Sequence, residues 1–269
     1  MLLFTGALWN WHPHVVRHTP GLQFCCDRRA VPMVRIHFPP AESRANFRSL
    51  VAAARPGAPA RHYVVSTNGA AKIKAAYIPQ WRALVAHGGH GKTQFAVQAQ
   101  YLIGQFPSVE LVICAGAAGS LAPELSIGDV VVGTETVEHD YRLLFATRPL
   151  PRFPGHGPSI DALHRLVQGV SGFHVAFGVI ASGDEDVVTS ERAQVIRDQT
   201  GAACVACEGS GAARTALFNG IGSLEIRAVT DAADKEAPQR FDTNLPIATA
   251  KSRKPTAILV GVRPKPFAD

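Results

Sequence analysis

"VELVICAGAAGSL" (109–121), followed closely by "IGDVVVGTETVEHDY" (127–141), is the stretch that decides the fold. Each segment carries a continuous run of β-branched and other apolar residues, too short for a helix and not alternating, which is the pattern of a strand covered on both faces. The first strand runs into Ala, Gly and Ser and reads as entering a small-residue turn, while the second follows a Gly-Asp turn.

A sheet covered on both faces needs helices. "KTQFAVQAQYLIGQF" (92–106) places Phe95, Ala96, Ala99, Leu102 and Ile103 on one stripe. Further helices are expected at 160–169, around 190–198 and at 209–219, between strands "HVAFGVIASG" (174–183), "AACVAC" (202–207) and "LEIRAVTD" (224–231). Upstream, "VRIHF" (34–38) reads as a strand, 42–54 as a helix, and 61–66 and 83–86 as extended; the Pro- and Gly-rich 148–160 reads as a surface loop. Strand, loop and helix in regular alternation predict an α/β fold in one domain.

The bulk numbers agree and exclude several classes. A chain of 269 residues with 46% hydrophobic residues can bury the core of one large domain. The net charge of +6 comes from scattered basic residues, with small excesses only at Arg28 and Arg29 and at Lys251, Arg253 and Lys254, which argues against a nucleic-acid surface. The five cysteines (25, 26, 114, 204 and 207) are odd in number, and Cys204-x-x-Cys207 has no second pair to complete a zinc site, so reduced thiols in the cytoplasm are expected. No apolar run approaches the roughly 18 residues of a membrane span. Residues 1–32 show no period and gather two of the three tryptophans, so they read as a poorly ordered or non-native extension ahead of a domain at 33–269.

"AHGGHGKTQF" (86–95) looks like a phosphate-binding loop, but G-x-x-x-x-G-K-[ST] needs a glycine where Ala86 stands. A triphosphate cradle is therefore disfavoured, and Lys92 reads as a structural or solvated lysine at a helix start. Chemistry is better sought where strands end in polar, glycine-bearing turns, because open α/β sheets bind ligands there. Three such ends are "ASGDED" (181–186), "VACEGSG" (205–211) and "RAVTDAAD" (227–234). A carboxylate just past an apolar strand, such as Glu208 or Asp231, costs desolvation unless it serves a partner; singly, each could equally be a helix cap.

Six segments in order resemble the nucleoside phosphorylase and nucleosidase superfamily, most nearly the methylthioadenosine/S-adenosylhomocysteine nucleosidases, over roughly residues 33 to 245. They are "GGHGKTQFA" (88–96), "ICAGAAGSLAPELSIGDVVVG" (113–133), "EHD" (138–140), "GVIASGD" (178–184), "VACEGSGAA" (205–213) and "IRAVTDAAD" (226–234). The resemblance implies a three-layer αβα domain around a central mixed, twisted sheet, a homodimer, a small nucleoside as partner, and no cofactor or metal. It also implies roles. Asp231 would protonate the purine ring nitrogen as the base leaves, and Glu208 would bind the ribose hydroxyls and favour the positive sugar of the transition state. Arg227 with Glu42 of "FPPAES" would activate water, although a glutamate at a helix start is also ordinary. Gly116, Ala117, Cys207, Asp186, Val187, Thr230 and Phe241 would line the substrate, Phe241 being an aromatic over the base or else a core residue.

Related phosphorylases carry an arginine at the position of Cys114, and arginines are what grip phosphate. The cysteine points to hydrolysis, with phosphorolysis through Arg44 or Arg82, or a catalytically weak nucleoside-binding protein, as alternatives. Several positions depart from the family pattern: Ala117, Ala206 and Cys207, and above all Asp186 and Val187, where relatives often place a stacking aromatic. His139 and Asp140 read as structural, or as a subunit contact.

Overall fold

The computed structural model describes residues 2–5, 61–66, 72–78, 83–146, 148–167, 174–245 and 248. The expected strand at 34–38 and helix at 42–54 lie outside them. The strands are β1 (Leu2–Thr5), β2 (Arg61–Ser66), β3 (Lys72–Ile78), β4 (Ala83–His87), β5 (Leu111–Ser120), β6 (Val130–Glu138), β7 (Arg152–Pro154), β8 (Val175–Ser182), β9 (Cys204–Ala206) and β10 (Gly222–Asp231). The helices are α1 (Gly91–Gln105), α2 (Gly157–Leu166), α3 (Ser190–Thr200) and α4 (Gly209–Phe218), followed by helical turns at 237–245.

One mixed sheet takes the order β10-β6-β8-β9-β5-β1-β4-β3-β2, with β7 on the margin of β6. A second pairing joins β10 to β5, so β5, β10, β6, β8 and β9 close a ring. The mixed α/β expectation holds, and ring closure is the feature that a list of strands does not convey.

The stripe on α1 behaves as its spacing predicts. Phe95, Ala99, Leu102 and Ile103 are buried against Val112 and Cys114 of the sheet and against Ala212 and Ala216 of α4. On the other side Leu163 of α2 packs with Val130, Val132, Leu224 and Ile226. Helix α3 is capped by Thr189, whose hydroxyl accepts from Arg192 N at 3.2 Å, in the ordinary manner of an N-cap.

Several elements differ from their sequence expectation. The stretch 115–120, taken for a small-residue turn, stays in β5 to Ser120, because β10 pairs with it as far as Gly119 and β9 pairs with Gly119 and Ser120. The loop expected at 148–160 contains β7 and the start of α2, since Arg152–Pro154 pairs with Val137–Glu135 and Pro158 tolerates the first helical turn. Residues 1–32 read as an extension apart from the domain, yet Leu2–Thr5 is a parallel strand between β4 and β5. Its apolar residues fill a central strand position, and Thr5 stands level with Ala115. The rest of that extension lies outside the described residues.

Strand ends are brought level by register. Glu138 of β6 pairs with Ser182 of β8, and Ser182 with Ala206 of β9. In β10 the register shifts between Val229 and Asp231, leaving Thr230 out of step. Such an irregularity redirects side chains at the end of a strand.

Candidate active site

The polar strand ends surround a cavity of about 360 Å³. Of the residues expected there, Ala117, Asp186, Val187, Cys207, Glu208, Arg227, Thr230, Asp231 and Phe241 all line it. Gly116 does not: it is buried on β5 opposite Arg227, because the chain there continues as a strand and the cavity wall passes to Ala117, Ala118 and Gly119. Glu42 lies outside the described residues.

Glu208 occupies the N-cap position of α4, but its side chain makes no capping bond. It turns inward instead. Its Oε2 accepts from Arg227 Nη1 at 3.1 Å, and its Oε1 lies 3.5 Å from the Gly91 amide. That contact gives the glycine loop its role: His90 lines the cavity, and Gly91, at φ 76, holds a backbone shape that only glycine adopts easily. The loop walls this site.

Arg227 is the largest fully buried side chain among the described residues, 1% exposed. Its Nε donates to Glu225 at 2.7 Å, Nη1 to Glu208 and to the Ala117 carbonyl at 3.3 Å, and Nη2 to Cys114 Sγ at 3.3 Å. Burial opposes the guanidinium charge, but the carboxylates of Glu225 and Glu208 outweigh it and hold its pKa well above the ordinary arginine range. Four of its five N–H groups are thereby engaged among the described residues.

Asp231 lines the same cavity. Burial pushes its carboxyl above the usual range, although bonds from Thr230 Oγ1 (2.8 Å) and Ala233 N (2.9 Å) pull the other way. Thr230 also reaches the Ala118 carbonyl at 3.2 Å, so its single hydroxyl proton can go there while its oxygen accepts from a protonated Asp231. The site can therefore hold a neutral carboxylic acid beside a fixed cation–carboxylate pair.

The remaining wall is less apolar than a stacking surface. Asp186 is exposed and Val187 buried at the positions where an aromatic was sought, and Phe241 is half-buried at the cavity rather than packed in the core. Burial drives the Cys207 thiol up to about 12 and raises Cys204 as well. Both stay protonated near neutral pH, which removes the redox reading of the C-x-x-C.

Sequence reasoning missed Glu225 and Glu138. Glu138 accepts from Lys92 Nζ at 2.9 Å and from Arg214 Nε at 2.8 Å, and Lys92 also bonds Asp140 at 2.6 Å. The lysine is thus structural, tying α1 to the end of β6, while Asp140 also accepts from Asp184 N at 2.8 Å. The His139 ring beside it is buried without a hydrogen-bond partner among the described residues. Burial favours a neutral Asp140, but the hydrogen bonds from Lys92 and Asp184 overcome it and hold its carboxyl below the ordinary range. A group of that kind adds stability above its unfolded pKa and loses it as pH falls through the folded value. Lys92→Met is accordingly expected to cost about 1–3 kcal/mol at neutral pH. In thermal melts the gap to the wild type should narrow below pH of about 4, where carboxylates protonate.

Strands that deliver acids to a shared cavity inside a mixed sheet define a class. Residues 50–261 match the phosphorylase superfamily, and the chain belongs to it. Its relatives lie among the nucleosidases. The 5'-methylthioadenosine/S-adenosylhomocysteine nucleosidase of Actinobacillus succinogenes is 32% identical over 176 residues, 63% of this chain and 76% of the relative. An aminodeoxyfutalosine nucleosidase of Helicobacter pylori is 30% identical over 177 residues, 64% of this chain and 76% of that protein. The solved nucleosidase of Neisseria meningitidis in complex with methylthio-immucillin-A matches with a TM-score of 0.67 at 31% identity, over 79% of this chain and 93% of that one. The futalosine hydrolase of Helicobacter pylori shares the fold, with a TM-score of 0.71 at 21% identity over 96% of each chain.

Proposed function

We propose that this protein hydrolyses the N-glycosidic bond of a purine nucleoside, most favourably one of adenine such as methylthioadenosine or S-adenosylhomocysteine, and releases the free base. The observation that carries this reading is that Asp231, its carboxyl raised by burial, shares one cavity with Glu208 and Arg227. Breaking the bond builds positive charge on the sugar and negative charge on the base. Asp231 protonates the base; Glu208 takes the ribose hydroxyls and favours the positive sugar. Arg227 keeps one N–H uncommitted among the described residues and orients the attacking water, with Glu42 as its base. Asp186 accepts from an exocyclic amino group where an aromatic would stack.

Water is the better acceptor than phosphate. Among the described residues the cavity is lined by Glu185, Asp186, Glu208, Asp231 and Asp242 against the single arginine Arg227. With Asp231 protonated and Glu185 paired to Arg192, a phosphate dianion would still face Asp186, Glu208 and Asp242. Arg44 and Arg82, the alternative phosphate holders, lie outside the described residues. The working protein is taken to be a homodimer in the cytoplasm. Leu144 and Phe145, exposed together just after Asp140, suit a subunit contact, and the free thiols Cys114, Cys204 and Cys207 suit a reducing compartment. No helix among the described residues is long and apolar enough to cross a membrane.

The test is a panel of purine and pyrimidine nucleosides incubated with and without phosphate, with free base and sugar read by chromatography. Purine release at the same rate in both buffers, with free sugar as co-product, is expected. Sugar 1-phosphate formed only with phosphate, or binding without turnover, would replace this reading.

A further inference from the structure

We propose that Glu225 is a positioning residue, which holds the Arg227 guanidinium in its working orientation from behind the cavity. This rests on the role given to Arg227 above. Glu225 does not line the cavity. It stands two residues before Arg227 on β10, hence on the same face of the strand, and is 4% exposed.

Both oxygens of the Glu225 carboxylate are committed. Oε1 accepts from Arg227 Nε at 2.7 Å, and Oε2 accepts from the Thr136 hydroxyl at 2.7 Å. Charge balance does not call for it, because Glu208 already neutralises Arg227 and a second buried carboxylate leaves the trio with a net charge of −1. What it adds is geometry. A guanidinium is planar, and charge-assisted bonds at Nε to Glu225 and at Nη1 to Glu208 fix both the plane and its rotation. Without Glu225 the group keeps Glu208 and the Ala117 carbonyl, both on Nη1, and the weak acceptor Cys114 Sγ on Nη2, and is left free to tilt about Nη1.

The neighbouring helix is shaped to admit the carboxylate. A Cβ placed on Gly209 would lie 2.0 Å from Glu225 Oε2 and 2.3 Å from its Cδ. The first residue of α4 therefore lacks a side chain where Glu225 needs its seat, and the residue before it is Glu208 itself. One helix start thus presents one carboxylate to the cavity and makes room for the other behind it.

The coupling supplies a test that separates positioning from packing. Glu225→Ala opens a void, and Glu225→Ala/Gly209→Ala returns a methyl group to it. Melting temperature, kcat and KM are measured for both and for the wild type on the same purine nucleoside. The double variant is expected to recover the melting temperature lost by the single one, while its kcat stays down by about tenfold to a hundredfold, as misplaced catalytic groups cause, with KM moving less. A double variant that regains wild-type kcat along with its melting temperature overturns the role, and the hydrolase reading survives because the wild type still turns over. A wild type that releases no purine overturns that reading and this role with it. If the alanine variants do not fold, Glu225→Gln decides: it keeps an acceptor for Nε, so near wild-type kcat supports positioning, and a loss as deep as tenfold refutes it.

Discussion

Asp231→Asn is expected to lower the rate of base release by about a hundredfold to ten-thousandfold, the usual contribution of a general acid, without lowering the melting temperature. The amide oxygen can still accept from the Ala233 amide, and the amide NH2, in place of the acid's proton, can donate to Thr230 Oγ1, so the local hydrogen bonds can persist. Burial raises the carboxyl's pKa, which means that the fold prefers the protonated form. Its stabilising effect is complete at low pH and is lost as pH rises through the folded value, so above that value the ionised side chain costs stability. Asparagine avoids this cost, and the variant should melt at or slightly above the wild type at neutral pH. The wild-type rate should fall on the alkaline side as Asp231 loses its proton. A pH–rate profile and a melt on both proteins test this; a variant with unchanged turnover removes Asp231 as the acid.

Arg227→Met is expected to be the most destabilising single change, costing about 3–5 kcal/mol, because it leaves buried carboxylates without their counter-charge. Glu208 and Glu225 both point at the guanidinium from positions almost closed to solvent. The midpoint of urea unfolding reads the loss. Arg227→Lys restores a charge but not the planar fork, and a single ammonium cannot meet Glu225, Glu208, Ala117 O and Cys114 together. It should recover part of the stability while base release remains impaired. Full recovery of both would show that only charge matters at this position.

Much of this was legible in the chain. The apolar run that opens β5 at 111–114 and those within 127–141 and 224–231 announced strands by composition alone, and the stripe from Phe95 to Ile103 announced a helix and its buried face. Glu208 and Asp231 could be picked out because carboxylates at the ends of apolar strands are rare without a purpose. Glu225 could have been found by the same logic, since an acid two residues from an arginine inside "LEIRAV" shares its face. It escaped because a mid-strand charge is read as a solvated edge until the partners across the sheet are known. β3 (Lys72–Ile78) escaped for a different reason: its lysines break the apolar run, although Ile73 and Ala75 are buried.

The sequence by itself determined the alternation of strands and helices, the polar strand ends, and the absence of an arginine at Cys114, because these depend on local composition and spacing. Only the tertiary structure decided that β10 closes back on β5, that Leu2–Thr5 enters the sheet, and that Glu208 turns from its capping position toward Arg227. Those outcomes depend on partners more than a hundred residues apart, 113 for Cys114 and Arg227 and 117 for Gly91 and Glu208, and on which groups burial forces together. Pairing across such distances is a property of the packed whole, where each buried charge must find its counterpart.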